Sequence, residues 1–437
     1  IKLSDSDDTI LVNTTFSDLS VGSDANMWIK VYLDFGVYDN SSNSFEGADV
    51  KVMEDASTLY STDGFGGSDP KTDGNGSIGT FLVATKHYDG SSTPEDVTTN
   101  ITVKYVDWIS IETYDVTDSI SVSIDDFRVK NQNTGVMYYS ISGAISAVTN
   151  YEATIHVWAG TYREKITINK QITLVGNSTA NTILNGSAVL GDFVTISSEN
   201  VILKNLSFVS AQTAIDINSD NCEVQNVYVG NNNVTGIYTG ASFIKIIDSE
   251  FKNNGDRGIE LQGASEISVI NNTFVGGDRA INLYQSDDVV IRDNLISSDG
   301  IGIISTDSND IEIFNNKLHN NSNDGLIFDG DSSNSEAHNN SIEYNEGYGI
   351  SVSGADSLLI RDNVVKSNTK GFRIIAADDI VFLSNTFVSN DDGLSELLPW
   401  EGASGHNRLE NNIFDDTGLV IEASNQTIIG NTFKNSP

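Results

Sequence analysis

Basic side chains are scarce in this chain. It carries 24 lysines and arginines against 61 aspartates and glutamates, a formal net charge of −37 over 437 residues. That excess of one sign argues against nucleic acid, polyanions and anionic lipid as partners. It suits instead an exterior rich in salt or divalent cations, where self-repulsion is screened. Cysteine is nearly absent too: Cys222 stands alone, so no disulfide framework exists, and its apolar alternating surroundings place it in a core. The five histidines (His87, His156, His319, His338, His406) fall on separate segments, which with one cysteine speaks against a zinc or copper centre. No stretch of 18 apolar residues occurs, so no transmembrane helix is expected. The chain opens at Ile1, which reads as a processed or excised segment with any signal peptide already removed.

What is abundant is asparagine at one spacing. Asn272, Asn294, Asn316, Asn340, Asn363, Asn385, Asn412 and Asn431 follow one another at steps of 22, 22, 24, 23, 22, 27 and 19 residues. Each precedes an apolar residue by two positions, from Phe274 to Phe433. A second series runs in phase, Ala214-Ile215, Gly236-Ile237, Gly258-Ile259, Ala280-Ile281, Gly302-Ile303, Gly325-Leu326, Gly349-Ile350 and Gly371-Phe372. Short alternating runs such as Ile311-Glu312-Ile313, broken by Asn, Asp and Gly, argue strands joined by tight turns. A unit of about 22 residues has no room for a crossover helix, so three short strands and three turns must stack coil on coil. The expected fold is a right-handed parallel β-helix in which the asparagines form an internal ladder. The Gly/Ala column marks corners where a larger side chain would clash. Leucine-rich repeats have a similar period, but their leucine-dense consensus is missing.

Residues 1–128 lack this period. Alternating segments such as Ile29–Phe35, Val50–Val52, Phe81–Val83 and Ile101–Tyr105, separated by Asp/Gly/Ser clusters, predict an N-terminal antiparallel β-sandwich. The piece Gly47-Ala-Asp-Val50-Lys-Val52 with Thr72-Asp73-Gly74-Asn75-Gly76 resembles carboxypeptidase-regulatory-like, Ig-type modules, which serve as spacers or adhesion units. The second domain is expected over 129–437. Within it Ile141, Ala144, Ile145 and Val148 lie at helical spacing and predict a capping helix near 139–149, covering the open first coil. The run Thr154–Gly176, with Thr182-Ile183-Leu184-Asn185-Gly186 after it, resembles the opening coils of the pectin-lyase-like superfamily. It is most similar to NosD-type repeat proteins of archaeal surfaces. That resemblance spans 138–437 and implies the fold; it does not imply an activity. Copper handling is not carried over, given the dispersed histidines. The last coil stops at Pro437 without a capping helix, so a further stretch of chain or another subunit is expected to cover that end.

The chemistry-bearing candidates are few. The catalytic motifs of polygalacturonase-like, pectate-lyase-like and alginate-epimerase-like relatives of the fold are not matched, so no catalytic residue is assigned and an enzyme, if it is one, would be a carbohydrate-active hydrolase or lyase. One outward column follows the corners: Asp216, Tyr238, Glu260, Asn282, Ile304, Ile327, Ser351, Arg373. A parallel one holds Gln262 and Tyr284. Tyr238, Glu260, Asn282 and Tyr284 are the candidate glycan-binding face, with Asp216 and Glu260 ~9.6 Å apart along the axis, near the upper end of inverting-glycosidase carboxylate spacings. Trp400 is added from the insertion Asp391–Arg408, which stretches one repeat to 27 residues. Asp63, Asp69, Asp73 and Asn75 in a glycine-rich loop are oxygen ligands suited to calcium, the one cofactor considered.

Sequons mark Asn13, Asn40, Asn75, Asn100, Asn177, Asn185, Asn233, Asn320 and Asn425 as glycosylation candidates. Three more, at Asn205, Asn271 and Asn339, are also present, and the last two precede ladder residues and are expected to be poorly accessible. Together these features point first to an exported, extracellular or cell-surface structural or assembly protein, of a surface layer, sheath or filament, partnered by itself or other surface proteins. The alternative is a polysaccharide-binding or polysaccharide-degrading β-helix.

Overall fold

A computed structural model describes residues 2–3, 9–12, 20–21, 23, 25–38, 46–90, 93–105, 108–114, 120–123, 128–138, 140–149, 152–187, 189–390, 394–398 and 406–435. The chain divides into two compact units, Ile1–Ala144 and Ile145–Pro437.

The first unit is built from small β-sheets. The long strand Asn26–Tyr38 alternates buried Met27, Leu33, Phe35 and Val37 with outward residues, as a half-buried strand must. It pairs antiparallel with Ser77–Asp89, and Ile120–Ser123 and Thr9–Val12 join the same sheet. A second set runs antiparallel in the order Ser57–Ser61, Asp49–Glu54, Thr99–Tyr105, Trp108–Tyr114. The expected purely antiparallel pairing needs correction. Lys2–Leu3 with Ser20–Val21, and both Thr9–Val12 and Ile120–Ser123 with Asn26–Tyr38, are parallel. Partners this far apart in the chain are not hairpin neighbours, and a parallel pair only requires a long enough connection.

The second unit is a parallel β-solenoid. Ala153–Val157, Gly160–Tyr162 and Ile166–Ile168 begin the coils, and each later coil adds one strand to each of three sheets except the last, which adds Thr427–Ile429 to the first and Thr432–Lys434 to the second. We call these the first, second and third sheets; among the described residues the second has 13 strands and the third 12. The predicted helix occupies Ile141–Ser146, and Ile141, Ala144, Ile145 and Val148 are buried as the spacing required.

The asparagine ladder lies at the corner between the first and second sheets. The backbone N–H and Nδ2 of Asn294 both donate to Asn316 Oδ1, at 3.0 and 2.9 Å, while Nδ2 also donates to Val269 O at 2.9 Å. Asn316, Asn340, Asn363, Asn385 and Asn412 repeat this pattern upward. A buried backbone donor and a buried carbonyl are thereby satisfied in every coil, each worth about 1–3 kcal/mol if left unpaired. The residue just before each ladder position is left-handed: Asn271, Asp293, Asn315, Asn339, Asp362, Ser384 and Asn411 have φ of 54–58°. Short polar side chains tolerate that conformation best.

The Gly/Ala column is explained by space. A Cβ on Gly258, Gly302, Gly325, Gly349 or Gly371 would sit 2.4–2.6 Å from a neighbouring atom. Inside, phenylalanines of the second sheet stack in register, Phe251 on Phe274 at 4.7 Å and Phe387 on Phe414 at 5.0 Å. Cys222, just before the first-sheet strand Glu223–Gln225, is buried as well.

Two further columns were not anticipated. At the corner between the second and third sheets, Asn232 donates to Asn254, Asn345 to Asn368, and Asn368 to Asn390, with Thr417 next. At the corner leading back to the first sheet, Ser286, Ser308 and Ser332 accept from the backbone N–H of the preceding coil.

Candidate functional site

Because the strands of the third sheet are parallel and in register, residues one coil apart stand side by side. Asp216, Tyr238, Glu260, Asn282 and Ile304 pair in that order, then Ile327, Ser351, Arg373 and Glu396. The structure thus brings together Tyr238, Glu260 and Asn282 in one column, with Gln262 and Tyr284 paired in the next. Tyr238 donates its hydroxyl to Gln262 Oε1 at 3.1 Å, which fixes the ring. The Tyr284 ring is exposed.

Two carboxyls on this face are displaced from ordinary behaviour. Burial pushes Asp216 up, opposed by a hydrogen bond from Asn218 and helped by Asp192. Burial also pushes Glu260 up, although Arg257, 3.1 Å from its carboxylate, pulls the other way. The phenol of Tyr238 is raised by burial and by the Glu260 and Asp216 charges beside it. Partly desolvated carboxyls flanking a fixed aromatic ring can accept hydrogen bonds from hydroxyl groups laid against it.

Farther along the same sheet, sequence reasoning missed a second group. Tyr348 Oη donates to Glu396 Oε2 at 2.7 Å, Lys370 Nζ reaches Glu396 Oε1 at 2.5 Å, and the Arg373 guanidinium lies 4.7 Å over the Tyr348 ring. Burial opposes the ionisation of Glu396, but its bonds from Lys370 and Tyr348 hold the carboxyl below its usual range. The signal was obscured because Lys370 and Glu396 are 26 residues apart and Glu396 belongs to the insertion. Trp400 lies outside the described residues.

The glycine-rich loop uses its acids internally. Asp63 pairs with Lys71 at 3.1 Å, Asp69 accepts from the Ser61 N–H at 2.6 Å, and Asp73 accepts from Asn75 and Ser77 N–H groups at 2.8 and 2.9 Å. Asp63 and Asp69 thus have separate partners, while Asp73 and Asn75 bond to each other. Among the described residues, the group of three His/Cys/Asp/Glu ligand atoms lying within 4.8 Å is another: Asp378, Asp379 and His406. Among the sequons, Asn75, Asn177, Asn233, Asn320 and Asn425 are exposed, Asn100 and Asn185 are half-buried, and Asn13 and Asn40 lie outside the described residues. Contrary to expectation, Asn271 and Asn339 are exposed as well, because the left-handed corner turns their side chains outward while the next residue points in.

Residues 257–414 match the family described as right handed beta helix region, and residues 140–325 the family described as periplasmic copper-binding protein (NosD). The solenoid is therefore a right-handed β-helix. No curated protein matches the chain. Among solved structures, the A-module of mannuronan C-5 epimerase AlgE6 from Azotobacter vinelandii is similar at 15% identity and TM-score 0.52, over 67% of this chain and 93% of that one. The catalytic unit of a GH87 alpha-1,3-glucanase from Streptomyces thermodiastaticus matches at 12% identity and TM-score 0.47, over 93% of this chain and 86% of that one. At 15% identity the likeness to the epimerase A-module is one of fold.

Proposed function

We propose that this is an exported β-helix protein that binds a polysaccharide along the outward face of its third sheet. The observation that carries the reading is the register column Asp216–Tyr238–Glu260, in which two carboxyls raised by burial flank a tyrosine held by Gln262. Tyr284 adds an exposed ring one column away. A saccharide offers an apolar ring face to the aromatics and hydroxyls to the carboxyls. The shared fold adds no ligand identity, so the reading rests on these side chains.

The test is binding to a panel of neutral and acidic polysaccharides, with release of reducing ends followed in parallel. Tyr284→Ala is expected to weaken binding about tenfold, close to 1.4 kcal/mol, and Glu260→Gln to weaken it with little loss of stability. Unchanged affinity in both variants removes this face from consideration. A second reading, a self-assembling surface scaffold, is favoured by the exposed sequons and the charge of −37. The two are compatible, and light scattering in calcium separates them.

A further inference from the structure

At the corner that leads into the first sheet, one residue per coil is left-handed. The column reads Asn200, Asn221, Phe243, Glu266, Asp288 and Asp310, with φ of 54–60°. Asparagine, aspartate and, less readily, glutamate fit such a position; a phenylalanine does not, and a bulky residue there is a conformational outlier. Nor does burial compensate, because the Phe243 side chain is 45% exposed. Its backbone is nonetheless held firmly. Its N–H donates to Ser265 O in the next coil at 3.0 Å, and the Ser242 N–H donates to Asp220 Oδ1 in the previous coil at 2.8 Å. An exposed ring on a well-bonded backbone at a strained corner is the kind of feature that folding alone does not require.

The ring borders an open groove of about 820 Å³ crossing five coils of the first sheet. Ile202, Glu223, Lys245, Ser268 and Val290 form its floor in one register column. The corner residues Asn221, Phe243 and Glu266 form its rim. Glu223 is paired with Lys204 at 3.7 Å, whereas Lys245 has no ion-pair partner among the described residues. Three lining carboxylates, Glu223, Glu266 and Asp288, face that single ammonium, which disfavours a polyanionic occupant. Amide, carboxylate and ammonium groups arranged around one exposed aromatic face are a match for a ring with an apolar side and many hydroxyls.

We propose that this groove binds a neutral saccharide chain running along the solenoid axis, with one sugar stacked on Phe243 and its neighbours hydrogen-bonded to Asn221, Lys245 and Glu266. The site is separate from the third-sheet face and stands without it. Its test is fluorescence polarisation with labelled cello-, laminari-, malto- and mannohexaose, and oligomannuronate as the acidic control. At least one neutral hexasaccharide should bind. Phe243→Asn, which restores the residue type of the column, should weaken binding tenfold or more while leaving Tm unchanged or higher. Lys245→Ala should weaken it at unchanged Tm, and in a Tyr284→Ala background, where the third-sheet face is already impaired, Phe243→Asn should still remove the binding that remains. The proposal is overturned if no neutral hexasaccharide binds, if Phe243→Asn binds as tightly as the parent, or if Phe243→Asn lowers Tm while Lys245→Ala binds normally. Loss of binding in Tyr284→Ala alone would overturn it in favour of the third-sheet face.

Discussion

At the scale of single residues, the most informative deviation is Asp299. It occupies the second internal column, where Asn321, Asn345, Asn368 and Asn390 stand in later coils. Its Oδ1 accepts from the Gly277 N–H at 2.6 Å, but its buried Oδ2 has no hydrogen-bond partner, nor does the Nδ2 of Asn321. An ionised carboxylate offers only acceptors where this column elsewhere supplies donors, so the proton is retained; burial pushes the group up to about 7 from 3.8, the Gly277 bond opposing. The folded form therefore holds the proton more tightly than the unfolded chain does. The corresponding stability is fully present below pH 3.8 and is lost as pH rises through about 7. Asp299→Asn cannot titrate and supplies the missing donor. Its advantage over the parent in urea unfolding should grow across that interval, towards an upper limit of about 4 kcal/mol. Parallel pH profiles for the two proteins would refute the assignment.

At the scale of elements, coil spacing is set by what the corners leave out. A Cβ on Gly349 would meet Val365 Cγ1 at 2.4 Å and Gly371 O at 2.8 Å, both belonging to the next coil. Gly349→Ala should thus cost about 1–3 kcal/mol through overpacking, read as a lower urea midpoint, and an unchanged midpoint would show the corners to be slack. The first ladder and this column were legible because each holds nearly one residue type at one spacing. The second ladder was not: Asn254, Gly277, Asp299, Asn321 and Thr417 share a location without sharing a chemistry, so no repeat is visible until the backbone places them. The face at Tyr238, Glu260 and Asn282 could be read because the period alone sets its register. The Tyr348, Lys370 and Glu396 group escaped because its contacts cross an insertion. Parallel pairing in the first unit also left no trace, since alternation records which side of a strand is buried and not its direction.

At the scale of the whole molecule, charge is the governing quantity. With a formal −37 spread over a surface of 18460 Å², self-repulsion opposes folding, and screening should relieve it. Tm is expected to rise with sodium chloride between about 10 and 300 mM, where the Debye length shrinks from roughly 30 to 6 Å. Calcium at equal ionic strength should add particle growth in light scattering only if the scaffold reading holds. The steps of 24 and 27 residues carry one more consequence. Asn316 donates to Asn340 Oδ1 at 2.9 Å and Asn385 to Asn412 Oδ1 at 2.8 Å, distances no different from those across ordinary 22-residue steps. The longer steps thus leave the interior ladder undisturbed. A foreign peptide spliced between Leu398 and His406, past the third-sheet strand Leu394–Leu398, would ride as a passenger, and evolution is free to rewrite such cargo while the axle beneath it stays the same.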